Sequence, residues 1–463
     1  TNIKFSKFMP FNTVFSKSYY FSENWIANMD KCRLIIKKCG ETSFVNPLLQ
    51  ISEYENNFIE QVKSNLDLNN DCFVNAIKLR QNAIYAKYIY SRLTHKKIWL
   101  ISDRVNLAGD NGEAFFLYLQ KINDPEIDSY FVINEDCADY ERMKQYGKVV
   151  IQNSDEHKLL HLLADYIISA QADDYVFNPF SSERTANIFR DLLVGQKFIF
   201  LQHGITQNNL SGWLNRFHKN IYGFVTAAIP ETQSILDYDY NYSKEQVWLT
   251  GFTRHDRLYD DNKNYITIMP TWRKYLTEAS TAGINALLAQ FKDSEFFRFY
   301  NSLLNNERFI RAARQYGYTI CFMPHPNLMD NLEDFEHHPE VKFFGKEKPY
   351  REIYAESSLI LTDYSSSVMD FAFLRKPVVY CQFDKEEFFS GKHTLLEGYY
   401  DYEKHGFGEL TFNMEEAIDI IIDYMKNGCK LKPVYENRID QFFAFSDKNS
   451  CKRLYEKIKS LDA

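Results

Sequence analysis

The chain has 463 residues, 45% of them hydrophobic and 25% charged, with a formal net charge of -8 at pH 7. That length supports two or three domains with real cores, and the acidic balance excludes a general nucleic-acid binder. No run approaches the ~20 apolar residues of a membrane-spanning helix, and no secretory leader pattern opens the chain.

The first residue is Thr1, as expected of a segment cut from a longer protein. Aromatic residues reach 16%, with 38 Phe and 32 Tyr. Eight cysteines stand at positions 32, 39, 72, 137, 321, 381, 429 and 451, with no CxxC pair. Buried thiols in a reducing compartment are expected, ahead of disulfides or zinc.

Residues 1–95 form an N-terminal extension. Polar loops dominate its start, and a helical pattern follows from Phe73 to Tyr90, with apolar residues three and four apart. From Lys97 short apolar runs alternate with helical stretches. Strands are expected at 97–101, 129–133, 149–151, 166–170, 197–201, 223–226 and 247–251, and a helix near Gly112-Glu113. The pattern restarts at Tyr265. Further strands are expected at 265–269, 319–323, 341–344, 359–361 and 378–380. One long helical region is expected from about Ala282 to Tyr316, another at 414–425, and terminal helices around Arg438–Phe443. Apolar strands separated by helices imply parallel sheets covered on both faces. The fold class is α/β, with two doubly wound domains. The expected boundaries are 1–95, 96–258, 259–435 and 436–463.

In such sheets ligands gather at the carboxyl ends of the strands. Four polar clusters follow strands here. Gln202-His203-Gly204 follows Leu201, and an imidazole there suits proton removal from a hydroxyl near neutral pH. Pro270-Thr271-Trp272-Arg273 follows Met269 and offers a hydroxyl and a guanidinium fork for phosphate. Pro324-His325-Pro326 holds a second imidazole between two prolines, which stiffen the backbone. Thr362-Asp363-Tyr364-Ser365-Ser366-Ser367 leads from a strand into a helix, an arrangement suited to an anion or to plain N-capping. Asp103-Arg104 and Gly109-Asp110-Asn111-Gly112-Glu113 follow the first strand, where they either meet an acceptor or cap a helix. Arg254 and His255 read as structural, and His337-His338 as a solvated loop rather than a metal site. P-loop, GxGxxG, HExxH and GxSxG patterns do not occur, which argues against a common NTPase, a nicotinamide enzyme, a zinc protease and an α/β-hydrolase.

The ordered set Leu201-Gln202-His203-Gly204, Pro270-Thr271-Trp272-Arg273, Pro324-His325-Pro326 and Thr362-Asp363-Tyr364-Ser365-Ser366 resembles the CDP-glycerol glycerophosphotransferase family of teichoic acid and capsule polymerases. Gly398-Tyr399-Tyr400-Asp401-Tyr402 and Arg438, Phe442, Phe443 and Asp447 extend the likeness, which spans about residues 97–460. The resemblance implies a GT-B fold of two Rossmann-like domains facing a cleft, acceptor on the first and nucleotide donor on the second. It implies transfer of glycerol or ribitol phosphate from a CDP-polyol to an oligosaccharide or polyol-phosphate polymer, with release of CMP. It assigns catalysis to His203 and His325, the former as base, the latter at the pyrophosphate. It assigns donor binding to Thr271, Arg273, Thr362, Asp363, Ser365 and Ser366, with Asp363 organising the turn. Asp103, Asp110, Asn111 and Glu113 are the acceptor-side candidates. That segment looks closer to the capsule-type relatives, which keeps ribitol beside glycerol.

Neither a metal nor a cofactor is expected, since phosphoryl transfer runs on positioning and charge stabilisation. A cytoplasmic location is expected, with peripheral contact on the inner face of the membrane and with other domains of a longer polymerase. Two other readings stand beside this one: a GT-B glycosyltransferase using a nucleotide sugar, and a non-catalytic scaffold of a capsule assembly complex.

Overall fold

The computed structural model describes residues 56, 71–181, 185–193, 196–278, 286–287, 291–345, 348–388 and 398–462. Two parallel sheets dominate. The first contains β1 (Lys97–Ser102), β2 (Ile127–Ile133), β3 (Val149–Ile151), β4 (Tyr166–Ser169), β5 (Lys197–Phe200), β6 (Ile221–Thr226) and β7 (Val247–Leu249), in the order β3-β2-β1-β4-β5-β6-β7. A two-stranded antiparallel ribbon, β9 (Thr277–Glu278) with β10 (Ala286–Leu287), follows β8 (Tyr265–Ile268). The second sheet is completed by β11 (Thr319–Phe322), β12 (Val341–Phe343), β13 (Ser357–Thr362), β14 (Val378–Cys381) and β15 (Gly408–Thr411). Its order is β12-β11-β8-β13-β14-β15.

Each order places the first strand centrally and reverses direction of growth beside it. That is the doubly wound topology, and its ligand crevice opens where the order reverses. In the second sheet this point lies between β8 and β13, whose register pairs Ile268 with Leu361.

The strands are apolar because both faces are covered. One face of the second sheet packs Ile266, Ile268, Ile320, Phe322, Leu359 and Leu361 against helices Glu295–Leu304, Glu307–Tyr316 and Met414–Lys426. The other packs Ile360, Val378 and Tyr380 against Ile353, Val368 and Phe371. The long helical region expected from Ala282 to Tyr316 is instead two helices, starting at Glu295 and Glu307. Asn306 ends the continuity, because its side chain accepts from Phe309 N and caps the second helix. Residues 279–285 and 288–290 lie outside the described residues.

The helix expected in the N-terminal extension runs Asp71–Leu93. Ala76 and Ala83 pack with Leu162, Phe180, Ile188 and Phe189, and buried Arg80 forms a bidentate pair with Asp191. The rest of the extension, apart from residue 56, lies outside the described residues.

The chain divides into two compact units, Thr1–Leu201 with Phe217–Phe224, and Gln202–Arg216 with Val225–Ala463. This partition differs from the 258/259 divide read from the sequence. The Gln202–Arg216 segment, which carries His203, belongs with the second sheet. Among the described residues, no helix is long and apolar enough to cross a membrane.

Candidate functional site

Three adjacent strands of the second sheet, β11, β8 and β13, deliver three of the four clusters at their carboxyl ends. Asp363 is the hub. Its Oδ1 accepts from Thr271 N at 2.9 Å and from Tyr364 N at 2.6 Å. Its Oδ2 accepts from Arg273 Nη2 at 2.8 Å and from Tyr300 Oη at 3.1 Å. Asp363 is fully buried, so these four donors replace water around its charge.

Arg273 was expected to face donor phosphate, and the structure places it elsewhere. Its guanidinium is buried, with Nε on Asp384 Oδ2 at 2.7 Å, Nη2 on Asp384 Oδ1 at 3.0 Å and on Asp363, and Nη1 on Thr271 O at 2.5 Å. Burial opposes its charge, but Asp363 and Asp384 hold the guanidinium firmly protonated. It also lies over the rings of Phe296, Tyr364 and Phe388. Arg273 therefore fixes the turn rather than a ligand. Thr362 is a second correction: it is buried, and its hydroxyl donates to Met269 O at 2.7 Å. Asp363 likewise has both oxygens engaged within the protein, in keeping with organising the turn.

The remaining candidates of this region are less fully engaged. Ser365 and Ser366 are half-buried, and the Ser365 hydroxyl shares a 2.6 Å hydrogen bond with that of Ser367. Ser365 Oγ also accepts from Ser367 N at 3.2 Å. Thr271 Oγ1 is buried with no hydrogen-bond partner among the described residues. His325 is half-buried beside Trp272, with ring centroids 5.9 Å apart. Its Nδ1 accepts from Asn327 N at 3.2 Å, which places the ring proton on Nε2.

His203 is exposed at the start of a turn after β5. The preceding Gln202 has φ 61°, a left-handed conformation that is strained for a residue with a Cβ. The turn is held from beneath by Glu231, which is fully buried. Glu231 Oε1 accepts from Thr206 N at 2.8 Å and Gln202 Nε2 at 3.0 Å. Its Oε2 accepts from Ala227 N at 2.9 Å and Ala228 N at 3.4 Å. Burial pushes the Glu231 carboxyl up to about 7, against the pull of these donors.

One hydrogen bond joins this turn to the serine turn, and Gly204 lies close to it. Gln207 Nε2 donates to Tyr364 O at 2.8 Å. Gly204 passes so close that a Cβ there would stand 3.4 Å from Ser366 Oγ. His203, Ser366 and Tyr364 thus belong to one neighbourhood of one compact unit.

The acceptor-side candidates lie in the other unit, and their side chains serve a helix start. Asp103 is buried and accepts from the backbone of Asp110, Gly112 and Glu113 at 3.0, 2.6 and 3.0 Å. Burial raises its carboxyl to about 8. Asp110 caps the helix Asn111–Ile122. Buried Asn111 donates to Leu201 O at 3.2 Å, and buried Glu113 pairs with Arg142 at 2.6 Å. For Asp103, Asn111 and Glu113 the capping and packing role replaces the expected acceptor contact; Asp110 is half-buried.

Arg254 and His255 both engage buried Asp370, at 2.6 and 3.0 Å. Burial alone would raise the Asp370 carboxyl, but Arg254 and His255 hold it well below the usual range. His337 stacks on Phe343 at 4.0 Å. No group of side chains able to hold a metal ion occurs among the described residues.

Sequence reasoning missed Glu231, Gln207 and Asp384. A glutamate three residues into a helix, after Pro230, is a helix-start signal that would have flagged Glu231. Gln207 and Asp384 carry no such signal.

A family model described as CDP-Glycerol:Poly(glycerophosphate) glycerophosphotransferase matches residues 84–460. The chain is 37% identical over 470 residues to the minor teichoic acid biosynthesis protein GgaB of Bacillus subtilis, covering 100% of this chain and 50% of that protein. It is 25% identical over 228 residues to the teichoic acid glycerol-phosphate transferase of Staphylococcus aureus, covering 47% of this chain and 54% of that one. The chain thus spans about half the length of these curated relatives. In fold it is similar to the solved wall teichoic acid polymerase TagF, with TM-score 0.56 and 15% identity over 83% of this chain and 97% of that one. A TagF variant soaked with CDPG gives TM-score 0.54 and 13% identity, over 84% of this chain and 99% of that one. The family match extends over most of the chain and agrees with the four clusters and the doubly wound sheets. The chain belongs to the CDP-glycerol:poly(glycerophosphate) glycerophosphotransferase family.

Proposed function

We propose that this chain transfers a polyol phosphate from a CDP-polyol to a hydroxyl of a growing teichoic-acid-like or capsule polymer and releases CMP. Glycerol and ribitol are the two donor polyols in view. The observation that carries the reading is the junction between the His203 turn and the serine turn, through Gln207–Tyr364 and Gly204–Ser366. It joins the turn that carries His203 to the turn that carries Ser365 and Ser366, which supports reading the imidazole as a proton acceptor working beside hydroxyl donors.

An acceptor hydroxyl attacks the phosphorus that carries the polyol. A new P–O bond forms, the pyrophosphate P–O bond breaks, and CMP leaves with the bonding pair. The acceptor proton passes to the imidazole of His203. Ser365, Ser366 and Thr271 donate hydrogen bonds to phosphate oxygens, and His325 donates from Nε2 as charge grows on the leaving phosphate. Each such donor is worth roughly 10²–10³-fold in rate when removed from a preorganised site. Arg273 and Asp363 act one step back, by holding the turn in place. Supporting the donor identity are the family's name and the CDPG soak of TagF.

The test is incubation of the protein with CDP-glycerol or CDP-ribitol and a polyol-phosphate oligomer. CMP release with a new phosphodiester in the product supports the reading. Consumption of a nucleotide sugar instead, with no new phosphodiester, moves the chain to the glycosyltransferases. Peripheral membrane contact is part of the same proposal and is read by sedimentation with anionic lipid vesicles.

A further inference from the structure

We propose that Glu231 is a positioning residue for the general base, holding the His203 turn in its strained working conformation. The inference rests on the reading of His203 as base, and deepens it.

Gln202, with φ 61°, holds a conformation unfavourable for a residue with a side chain. Such a conformation persists only where the surroundings over-determine it, typically at a cost of ~1–3 kcal/mol. Here the surroundings are countable. Gln202 Nε2 donates to Val225 O at 2.6 Å and to Glu231 Oε1 at 3.0 Å, and Gln202 Oε1 accepts from Thr206 Oγ1 at 2.7 Å. These partners also fix which end of the amide is oxygen. Thr206 N donates to the same Glu231 oxygen at 2.8 Å. One carboxylate oxygen therefore ties the residue before His203 to a residue three after it, closing the turn across its base.

The other oxygen anchors Glu231 itself. It accepts from Ala227 N and Ala228 N, at the start of the helix Ile229–Asp237. The turn is thus referenced to a helix, a rigid element, rather than to another loop. Glu231 is fully buried, with Tyr240 and Tyr399 in electrostatic range. A buried carboxyl is expensive, and burial lifts this one towards neutrality. A glutamate kept there despite burial is accounted for by the four N–H groups that converge on it. A neutral apolar side chain would leave all four without an acceptor.

The test compares Glu231→Gln, Glu231→Ala and Thr206→Val with the wild type. Thr206→Val keeps shape and removes only the hydroxyl bond to Gln202. Steady-state CMP release gives kcat and the KM for the CDP-polyol, and thermal unfolding reports folding. Amide hydrogen exchange is followed over residues 202–206. The expected result is a fall in kcat of roughly 10-fold for Thr206→Val and Glu231→Gln, and more for Glu231→Ala. The KM should stay within about threefold of wild type, because the donor pocket is untouched, and exchange should rise at 202–206 ahead of other segments. Retention of wild-type kcat in folded Glu231→Gln and Thr206→Val overturns the inference. So does a loss of kcat that merely follows the melting temperature. If Glu231→Ala does not fold, the milder Glu231→Gln, which keeps one acceptor oxygen, decides, with Thr206→Val reporting the turn alone. If the wild type itself releases no CMP, the functional reading fails, and exchange at 202–206 still decides whether Glu231 holds the turn.

Discussion

Gln207 Nε2 donates to the carbonyl oxygen of Tyr364 at 2.8 Å, joining two turns that lie 157 residues apart in the chain. One turn carries His203 and the other Ser365 and Ser366. If His203 is the base and Ser365 and Ser366 bind phosphate, as proposed, they must be held to a fraction of an ångström for in-line transfer. This contact is a direct means of doing so.

Replacing Gln207 with Ala should therefore lower kcat for CMP release by about tenfold. The stability loss should be near 1 kcal/mol, the usual worth of one internal hydrogen bond. Steady-state kinetics beside urea denaturation separate the two effects. A loss of stability with unchanged kcat would remove Gln207 from the account.

Arg273 makes the opposite prediction. It sits between Asp363 and Asp384 with no exposed surface, so Arg273→Ala leaves two buried carboxylates without a counter-charge. Breaking such a pair costs about 3–5 kcal/mol. Arg273→Lys should recover little, because a single ammonium cannot reproduce the fork between two carboxylates. Guanidinium denaturation measures both. If Arg273→Ala is as stable as wild type and only its donor KM rises, Arg273 binds phosphate after all.

Stability should also depend on pH with a stated sign. Asp103 and Glu231 are raised by burial to about 8 and about 7. In the folded state they hold protons that the unfolded chain releases near pH 4. Their contribution is complete below about pH 4 and is lost as pH rises through 7 to 8. Asp370, held below its usual range chiefly by Arg254 against the effect of burial, acts the other way. Its contribution is present above about pH 4 and is lost as pH falls below that. Urea unfolding from pH 5 to 8 should follow a different slope in Glu231→Gln, which loses the downward contribution of Glu231, while His157 and His161, lowered by burial, contribute an upward one below about pH 6.5 in both proteins. An identical slope in that variant contradicts the assignment.

Gly398 lies against the segment that follows His203: a Cβ there would stand 2.3 Å from Gln207 O and 2.6 Å from Asn208 Cα. Both are backbone atoms, so the segment must move. Gly398→Ala should reduce kcat several-fold in a protein that still folds, as judged by circular dichroism and CMP release. Wild-type turnover would show that the segment tolerates displacement.

The strands and the sites they feed were legible because parallel strands buried on both faces are uninterrupted apolar runs, and because ligands collect at their carboxyl ends. Gly408–Thr411 was not legible as a strand, since Gly408-Glu409-Leu410-Thr411 is neither apolar nor alternating. Its glycine answers to a neighbour instead: a Cβ at 408 would stand 1.6 Å from Val378 O. Spacing located Arg273, Thr362 and Asp103 at strand ends but did not reveal which way they point. All three turn inward: Asp103 onto the backbone of the helix start that follows it, Arg273 and Thr362 onto partners from elsewhere in the fold. Asp384, 111 residues from Arg273, and Glu231, 29 residues from Gln202, are such partners, and no local pattern links them.

The central claim is that His203 takes the acceptor's proton beside a turn that binds the donor's phosphates. It is tested most directly by following the reaction of CDP-glycerol and CDP-ribitol with a polyol-phosphate acceptor by ³¹P NMR, for wild type and His203→Ala. The account predicts a growing phosphodiester signal and stoichiometric CMP with one of the donors in the wild type. It predicts a rate at least 100-fold lower in a folded His203→Ala protein. A folded His203→Ala protein that makes phosphodiester at the wild-type rate would contradict it.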